Sequence, residues 1–152
     1  MEARVRPAVV EDQAGITRLV RQARLNPRDL DWRRFVVTEV AGRLVGVAQV
    51  RRHTDGSREL ASLVVLPEHR DRGVAGRMID RLLADEAGSV FTIVDRRHAP
   101  HFARWDFGPL DPRELPASMS RQLRIGRVVT AVASVVTRRR IGLVPLRRPP
   151  RD

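Results

Sequence analysis

RELASLVVLPEHRDRGVAGRMIDRLL, residues Arg58 to Leu83, is the stretch from which the rest of the chain is read. It contains the apolar run Leu60 to Leu66, with Leu63, Val64 and Val65 in succession, the composition of a buried strand. Pro67 ends the run, because proline has no N–H to give to a sheet ladder. From Gly73 onward Val74, Met78 and Leu82, and Ala75, Ile79 and Leu83, recur at helical spacing, while Arg77, Asp80, Arg81 and Asp85 fall on the other face. The reading is strand, loop, amphipathic helix.

The loop Arg70-Asp71-Arg72-Gly73-Val74-Ala75-Gly76 opens that helix. A helix N-terminus has N–H groups without intrahelical partners and the positive end of the macrodipole, which suits a phosphate or pyrophosphate. Gly73, Ala75 and Gly76 are small enough for close backbone approach, and Arg70 and Arg72 add positive charge. The plain alternative is an ordinary turn with solvated arginines. The sequence has neither the Gly-Lys-Ser/Thr of a P-loop nor the third glycine of a dinucleotide fingerprint.

Strand, proline, Arg-x-x-Gly-x-Ala and helix together resemble the acyl-CoA-binding motif of the GNAT superfamily of N-acyltransferases, with Arg70, Gly73 and Ala75 in the motif positions. The resemblance extends, more loosely, from Val5 to about Val136. It implies an α/β fold: a central, mostly antiparallel mixed sheet with one splayed parallel strand pair, flanked by helices. It also implies acetyl-CoA as acyl donor and direct transfer of the acetyl group to a primary amine, of a small molecule such as an amino acid or of a protein. The backbone of Leu63, Val64 and Val65 would pair with the pantetheine arm as another strand does, and one N–H would polarise the thioester carbonyl given a bulge in the strand. Residues Arg70 to Gly76 would hold the pyrophosphate. Glu59, eleven residues before Arg70, occupies the position of the glutamate base of those members that use one. Its plain alternative is an exposed strand end after the Gly56-Ser57 turn.

Two positions depart from the family pattern. The tyrosine that many members use to protonate the leaving thiolate is replaced by Phe102, and the chain has no tyrosine. The family's Gly-Phe is Asp106-Phe107 here, which predicts a strained or re-routed turn. His98 and His101 are candidate substitutes for the acid; without a third ligand nearby they predict no metal site. Phe107 and Leu115-Pro116 faintly resemble acetylglutamate-forming members, where Arg96, Arg97 and Arg121 would hold a carboxylate.

At 152 residues the chain predicts one domain with an ordinary core. No apolar run approaches the ~20 residues of a membrane span. The first residues lack the layout of a signal peptide, and there is no cysteine, so a cytoplasmic setting is expected, without membrane association. The formal charge of +11 is carried on the basic side by arginine alone. Such basicity attracts anionic ligands or nucleic acid, although 4% aromatics supply few stacking platforms.

In chain order, Ala3 to Val9 predicts a strand with Val5 and Val9 inward, and Glu11-Asp12 opens a helix carrying Ile16, Leu19, Val20 and Ala23. Leu25, Leu30 and Trp32 follow as core residues or as the lining of an acceptor pocket. Arg34 to Val40 and Leu44 to Arg52 form a hairpin through Ala41-Gly42-Arg43, and Thr54 to Ser57 turns into the central strand. Ser89 to Val94 is the parallel strand, Pro100 to Trp105 a short helix, and Met119 to Arg127 a helix or loop. Val128 to Val136 predicts a last strand from its β-branched density. The domain is expected over 1–137, with a disordered basic, Pro/Arg-rich tail over 138–152 in which Ile141 to Leu146 adds at most an edge strand.

Three functions fit. The first is an N-acetyltransferase. The second is a non-catalytic acyl-CoA-binding regulatory module. The third is a nucleic-acid- or ribosome-associated protein acting through the tail. A homodimer is left open.

Overall fold

A hairpin with two left-handed residues at its tip sets the first half of the sheet. Ala41 (φ 52) and Gly42 (φ 74) are both left-handed, the type I′ geometry whose twist matches that of paired strands. They join β2 (Phe35–Val40) to β3 (Arg43–Arg52), with Val40 opposite Arg43 and a register shift between Thr38 and Glu39. The structure, a computed structural model, describes residues 2–137 and 142–152.

The other elements are β1 (Arg4–Pro7), α1 (Gln13–Gln22), β4 (Arg58–Val65), α2 (Val74–Leu83), β5 (Val90–Asp95), β6 (Gly108–Pro109), α3 (Ala117–Thr137) and β7 (Leu143–Arg148). The seven strands form one mixed sheet in the order β1-β2-β3-β4-β5-β7-β6. It is mostly antiparallel; β4 and β5 pair in parallel through Glu59 and Phe91. This is the expected sheet type. Two compact units divide the chain, Met1–Arg51 with Leu60–Ala87, and Arg52–Glu59 with Gly88–Asp152.

In the first unit each face of the strands carries its own core. Val37, Val47 and Val64 pack with Ile16, Leu19 and Val20 of α1. Val36 and Ala48, with Leu63 and Val65, pack with Val74 and Met78 of α2. The alternation of Leu63, Val64 and Val65 between these clusters is the period-two pattern of a strand covered on both faces. Gly46 lets α2 sit close: a Cβ there would lie 3.0 Å from Met78 Cε and 3.3 Å from Val64 O. Val9, expected inward, is 46% exposed, and Ala8 is buried instead. The strand has already ended at Pro7, so its alternation does not reach Val9.

A carboxylate fixes the entry to α1. Asp12 accepts from Arg6 at 2.7 and 3.1 Å and from the Val9 N–H at 2.8 Å. The Arg6 hydrogen bonds hold the Asp12 carboxyl below the usual carboxylate value, against the opposing effect of burial. Arg6 also donates to Glu39 of β2. The loop before β2 is pinned by Gln13, which donates to Leu30 O and accepts from the Trp32 N–H.

In the second unit β7 lies between β5 and β6, with Phe91 opposite Arg147, Ile93 opposite Pro145 and Pro109 opposite Leu146. Leu115, Met119 and Leu123 are buried against Phe91, Ile93, Leu110 and Leu143. Two expectations are corrected here. Val128–Val136 is not a strand but the second half of α3. Once the turn from Ala117 is formed, each further residue adds a helical hydrogen bond at low cost, and Ala131 and Ala133 favour helix. The tail expected over 138–152 is likewise corrected at 143–148, which form an interior strand, and its Arg148 is wholly buried. Met1, Arg138–Arg140 and Ile141 lie outside the described residues.

Replacing Asp12 by Asn is expected to lower stability by about 1–3 kcal/mol at neutral pH, the cost of orphaning charged donors. Because the folded carboxyl titrates below its ordinary value of 3.8, the stabilisation is complete above that pH and lost as pH falls through the folded value. Melting temperatures of wild type and Asp12→Asn should therefore differ at pH 7 and converge in acid. A gap that stays constant down to pH 2 would remove the ion pair as its cause.

Candidate active site

β4 leads directly into the loop quoted at the outset. The chain leaves it through a 3₁₀ turn, Pro67–His69, then reaches Asp71 (φ 59) and Gly73 (φ 75, ψ 10), both left-handed. Gly73 is the N-cap of α2, and a Cβ there would meet nothing within 4 Å. Glycine is therefore required by backbone conformation and not by space. The first backbone bond of α2 is Arg77 N–H to Gly73 O at 3.1 Å. The N–H groups of Val74, Ala75 and Gly76 precede it and have no intrahelical acceptor. Arg70 Nε donates to Val65 O at 2.9 Å, tying the loop to the end of β4, and Arg72 is exposed.

Inside β4, Ser62 has φ 56. A left-handed residue in a strand turns adjacent peptide groups out of the regular ladder, the local geometry of a bulge. Its hydroxyl is buried and accepts from Gln49 Nε2 at 2.9 Å. Leu63, Val64 and Val65 follow, with side chains committed to the two cores, so they have only backbone to offer a ligand.

In the second unit Glu59 is 2% exposed. It is not the solvated strand end of the plain alternative. Oε1 lies 3.0 Å from His53 Nε2, and Oε2 accepts from Gln122 Nε2 of α3 at 3.0 Å. His53 and Glu59 flank the turn at residues 54–57, closed by His53 N–H to Ser57 O at 2.9 Å. At its tip Asp55 accepts from the Ser57 N–H at 3.0 Å and from Ser118 Oγ at 2.8 Å. Hydrogen bonds, those of Ser57 foremost, hold the Asp55 carboxyl well below the usual carboxylate range.

Sequence reasoning passed over His53, Gln122 and Ser118. One signal was available: in a helix over 117–127, Ser118 and Gln122 are four apart and share a face.

Phe102 is buried edge-on against Phe107, ring centres 5.9 Å apart, and has no proton to give. His98 and His101 are exposed at a 3₁₀ helix, Ala99–Trp105. Asp106 takes φ 64 and ψ 18 at the end of that helix, so the turn is kept in the left-handed form that aspartate tolerates better than most residues. Of the arginines expected to hold a carboxylate, Arg97 is engaged by Asp95 through Nε and Nη2, both at 3.1 Å. Leu25 is exposed, whereas Leu30 and Trp32 pack against the α1 core. Among the described residues no three His, Asp or Glu side chains group as a metal site would need. A depression of about 740 Å³ runs along α1 and includes none of the residues expected to act.

Residues 31–107 match the family model for the acetyltransferase (GNAT) domain. The chain belongs to the GNAT family. No curated protein matches it. Among solved structures, N-acetylglutamate synthase from Neisseria gonorrhoeae, complexed with coenzyme A and N-acetyl-glutamate, superposes with TM-score 0.73 at 20% identity. That match covers 100% of this chain but 36% of the synthase, so the chain spans about a third of that protein's length. A Mycobacterium tuberculosis protein complexed with CoA gives TM-score 0.68 at 22% identity, covering 96% of this chain and 98% of that one. Diaminobutyrate acetyltransferase from Paenibacillus lautus, complexed with L-2,4-diaminobutyric acid and coenzyme A, gives 0.63 at 16%, covering 98% and 95%. The GNAT fold is thus shared along essentially the whole chain. In the described residues of this GNAT chain, no helix is long and apolar enough to cross a membrane.

Replacing Asp106 by Gly is expected to relieve left-handed strain, with stability rising by up to about 1 kcal/mol, partly offset by unfolded-state entropy. The melting temperature should rise by roughly 2–4 °C. A fall in differential scanning calorimetry would show that the Asp106 side chain supports the fold.

Proposed function

We propose that the chain is an N-acetyltransferase that moves an acetyl group from acetyl-CoA to a primary amine, most simply that of a small amino acid. The observation that carries the reading is left-handed Gly73 opening α2 within Arg70-x-x-Gly73-x-Ala75, inside the family match. Three outward N–H groups and a helix dipole fit a pyrophosphate. The N. gonorrhoeae and P. lautus proteins are complexed with N-acetyl-glutamate and L-2,4-diaminobutyric acid beside coenzyme A, which supports the acceptor class.

When bound, acetyl-CoA supplies the activated acyl group. The N–H groups of Val74, Ala75 and Gly76, with Arg70 and Arg72 nearby and Asp71 shaping the turn, hold the pyrophosphate end. The backbone of Leu63, Val64 and Val65 would line the pantetheine arm, and the kink at Ser62, which turns a peptide group out of the ladder, would leave an N–H to polarise the thioester carbonyl. Glu59 accepts the proton of the acceptor ammonium, leaving a neutral amine to attack the acyl carbon. A C–N bond then forms as the C–S bond breaks, and the nitrogen gives up its second proton to water, which relays it to the thiolate. With Phe102 in the tyrosine position, water is left to protonate the thiolate. The setting is proposed as cytoplasmic, which suits a cysteine-free chain.

Phe102 also favours a second reading, a non-catalytic acyl-CoA sensor. One experiment separates them: thermal-shift titrations with acetyl-CoA, CoA and inorganic phosphate, followed by an amine panel. CoA at about a hundred times its Kd should raise stability by about 2.7 kcal/mol, inorganic phosphate far less. Gly73→Glu should abolish the shift by placing a strained anion in the loop. Glu59→Gln should retain it while losing about 10²–10⁴-fold in kcat. No shift with millimolar CoA would overturn both readings, and a shift without turnover on any amine would leave the sensor.

A further inference from the structure

We propose that His53 and Gln122 are positioning residues for Glu59, and that His53 performs this through a proton on Nε2. The inference rests on Glu59 acting as the base. A carboxylate that is to accept a proton is ionised and carries only lone pairs. Glu59 Oε1 and His53 Nε2 lie 3.0 Å apart, too close for two facing lone pairs, so the ring nitrogen carries the hydrogen. Gln122 donates to the other oxygen at the same distance. These two described contacts, one on each oxygen, orient a group with about four lone-pair sites.

The carriers of these donors are locked to each other. Gln122 sits one helical turn after Ser118, whose hydroxyl donates to Asp55 at 2.8 Å. Asp55 also takes the Ser57 N–H of the turn that leads from His53 to Glu59. The side chains of His53 and Glu59 are 11% and 3% exposed, so water does not compete strongly for the contact. The base is thereby held from the hairpin and from α3 at once.

The test has two arms. Long-range ¹H–¹⁵N spectra of the full chain, with the His53 ring assigned through its loss in His53→Gln, should show Nε2 protonated at neutral pH. They should also show its tautomer balance changed in Glu59→Gln. A ring protonated on Nδ1 alone would overturn the proposal, because the shared proton would then sit on Glu59, making it an acid in the resting state. In the kinetic arm each variant is first checked for the acetyl-CoA thermal shift. His53→Ala and Gln122→Met should then lower kcat by about 10–100-fold, the cost of a slightly misplaced group. The KM for acetyl-CoA should stay within about two-fold. His53→Gln, which keeps a donor near the same place, should recover most of the rate. His53→Ala added to Glu59→Gln should cost little more, since both act through one group. A slow Glu59→Gln beside a normal His53→Ala and Gln122→Met would sink the positioning roles alone. A Glu59→Gln of unchanged kcat would sink the base reading and the positioning roles with it.

Discussion

Burying one carboxylate constrains much of the second unit. Removing Glu59 from water costs several kcal/mol unless donors replace the lost hydration. Among its described contacts, His53, before the turn at 54–57, lies 3.0 Å from one oxygen, and Gln122, in α3, donates to the other. Arg52–Glu59 and α3 belong to the same compact unit. The turn is heavily bonded: Asp55, Ser57 and Ser118 join its tip to the first turn of the helix. Replacing the carboxylate alone would leave its buried partners unsatisfied, so Glu59 and the groups around it are held as a set.

The loop of the first unit solves a different problem with different means. The groups proposed to meet an anion are main-chain N–H donors, so the sequence controls them through backbone conformation. Gly73 supplies the left-handed N-cap, and Asp71 adopts the same region. Arg70 ties the loop to Val65 O through Nε. Gly46 lets α2 lie close on the strands, its missing Cβ leaving room for Met78 and Val74.

Legibility followed the range of the interactions. Strand, loop and helix from Arg58 to Leu83 are local, and so is the hairpin at Ala41-Gly42; both could be read because their signals are residues confined to special dihedral angles. The second half of α3 could not. Val128 to Val136 has strand composition, yet it continues a helix begun eleven residues earlier at Ala117, and propagation outweighs propensity. β7 was obscured by Pro145, which argues against a paired strand, and by Arg147 and Arg148, which argue for a tail. Glu59 could be located by its spacing from Arg70, but its donors could not, because Gln122 is 63 residues away. Burial of a charged group depends on long-range partners, and these are visible only in the fold.

Asp106 and Phe102 carry this argument to the departures from the family pattern. Replacing glycine by aspartate threatened the turn before Phe107, but the turn remains left-handed at Asp106 and Phe107 remains buried against Phe102. The aromatic pair is thus the fixed feature, and the backbone at Asp106 adapts to it. A hydroxyl at position 102 would have to leave that apolar contact or find a partner within it. Around Glu59, by contrast, the described contacts are polar. A thiolate is a good leaving group and an ammonium a poor nucleophile, so of the two proton transfers in the proposed reaction the one proposed for Glu59 needs more help.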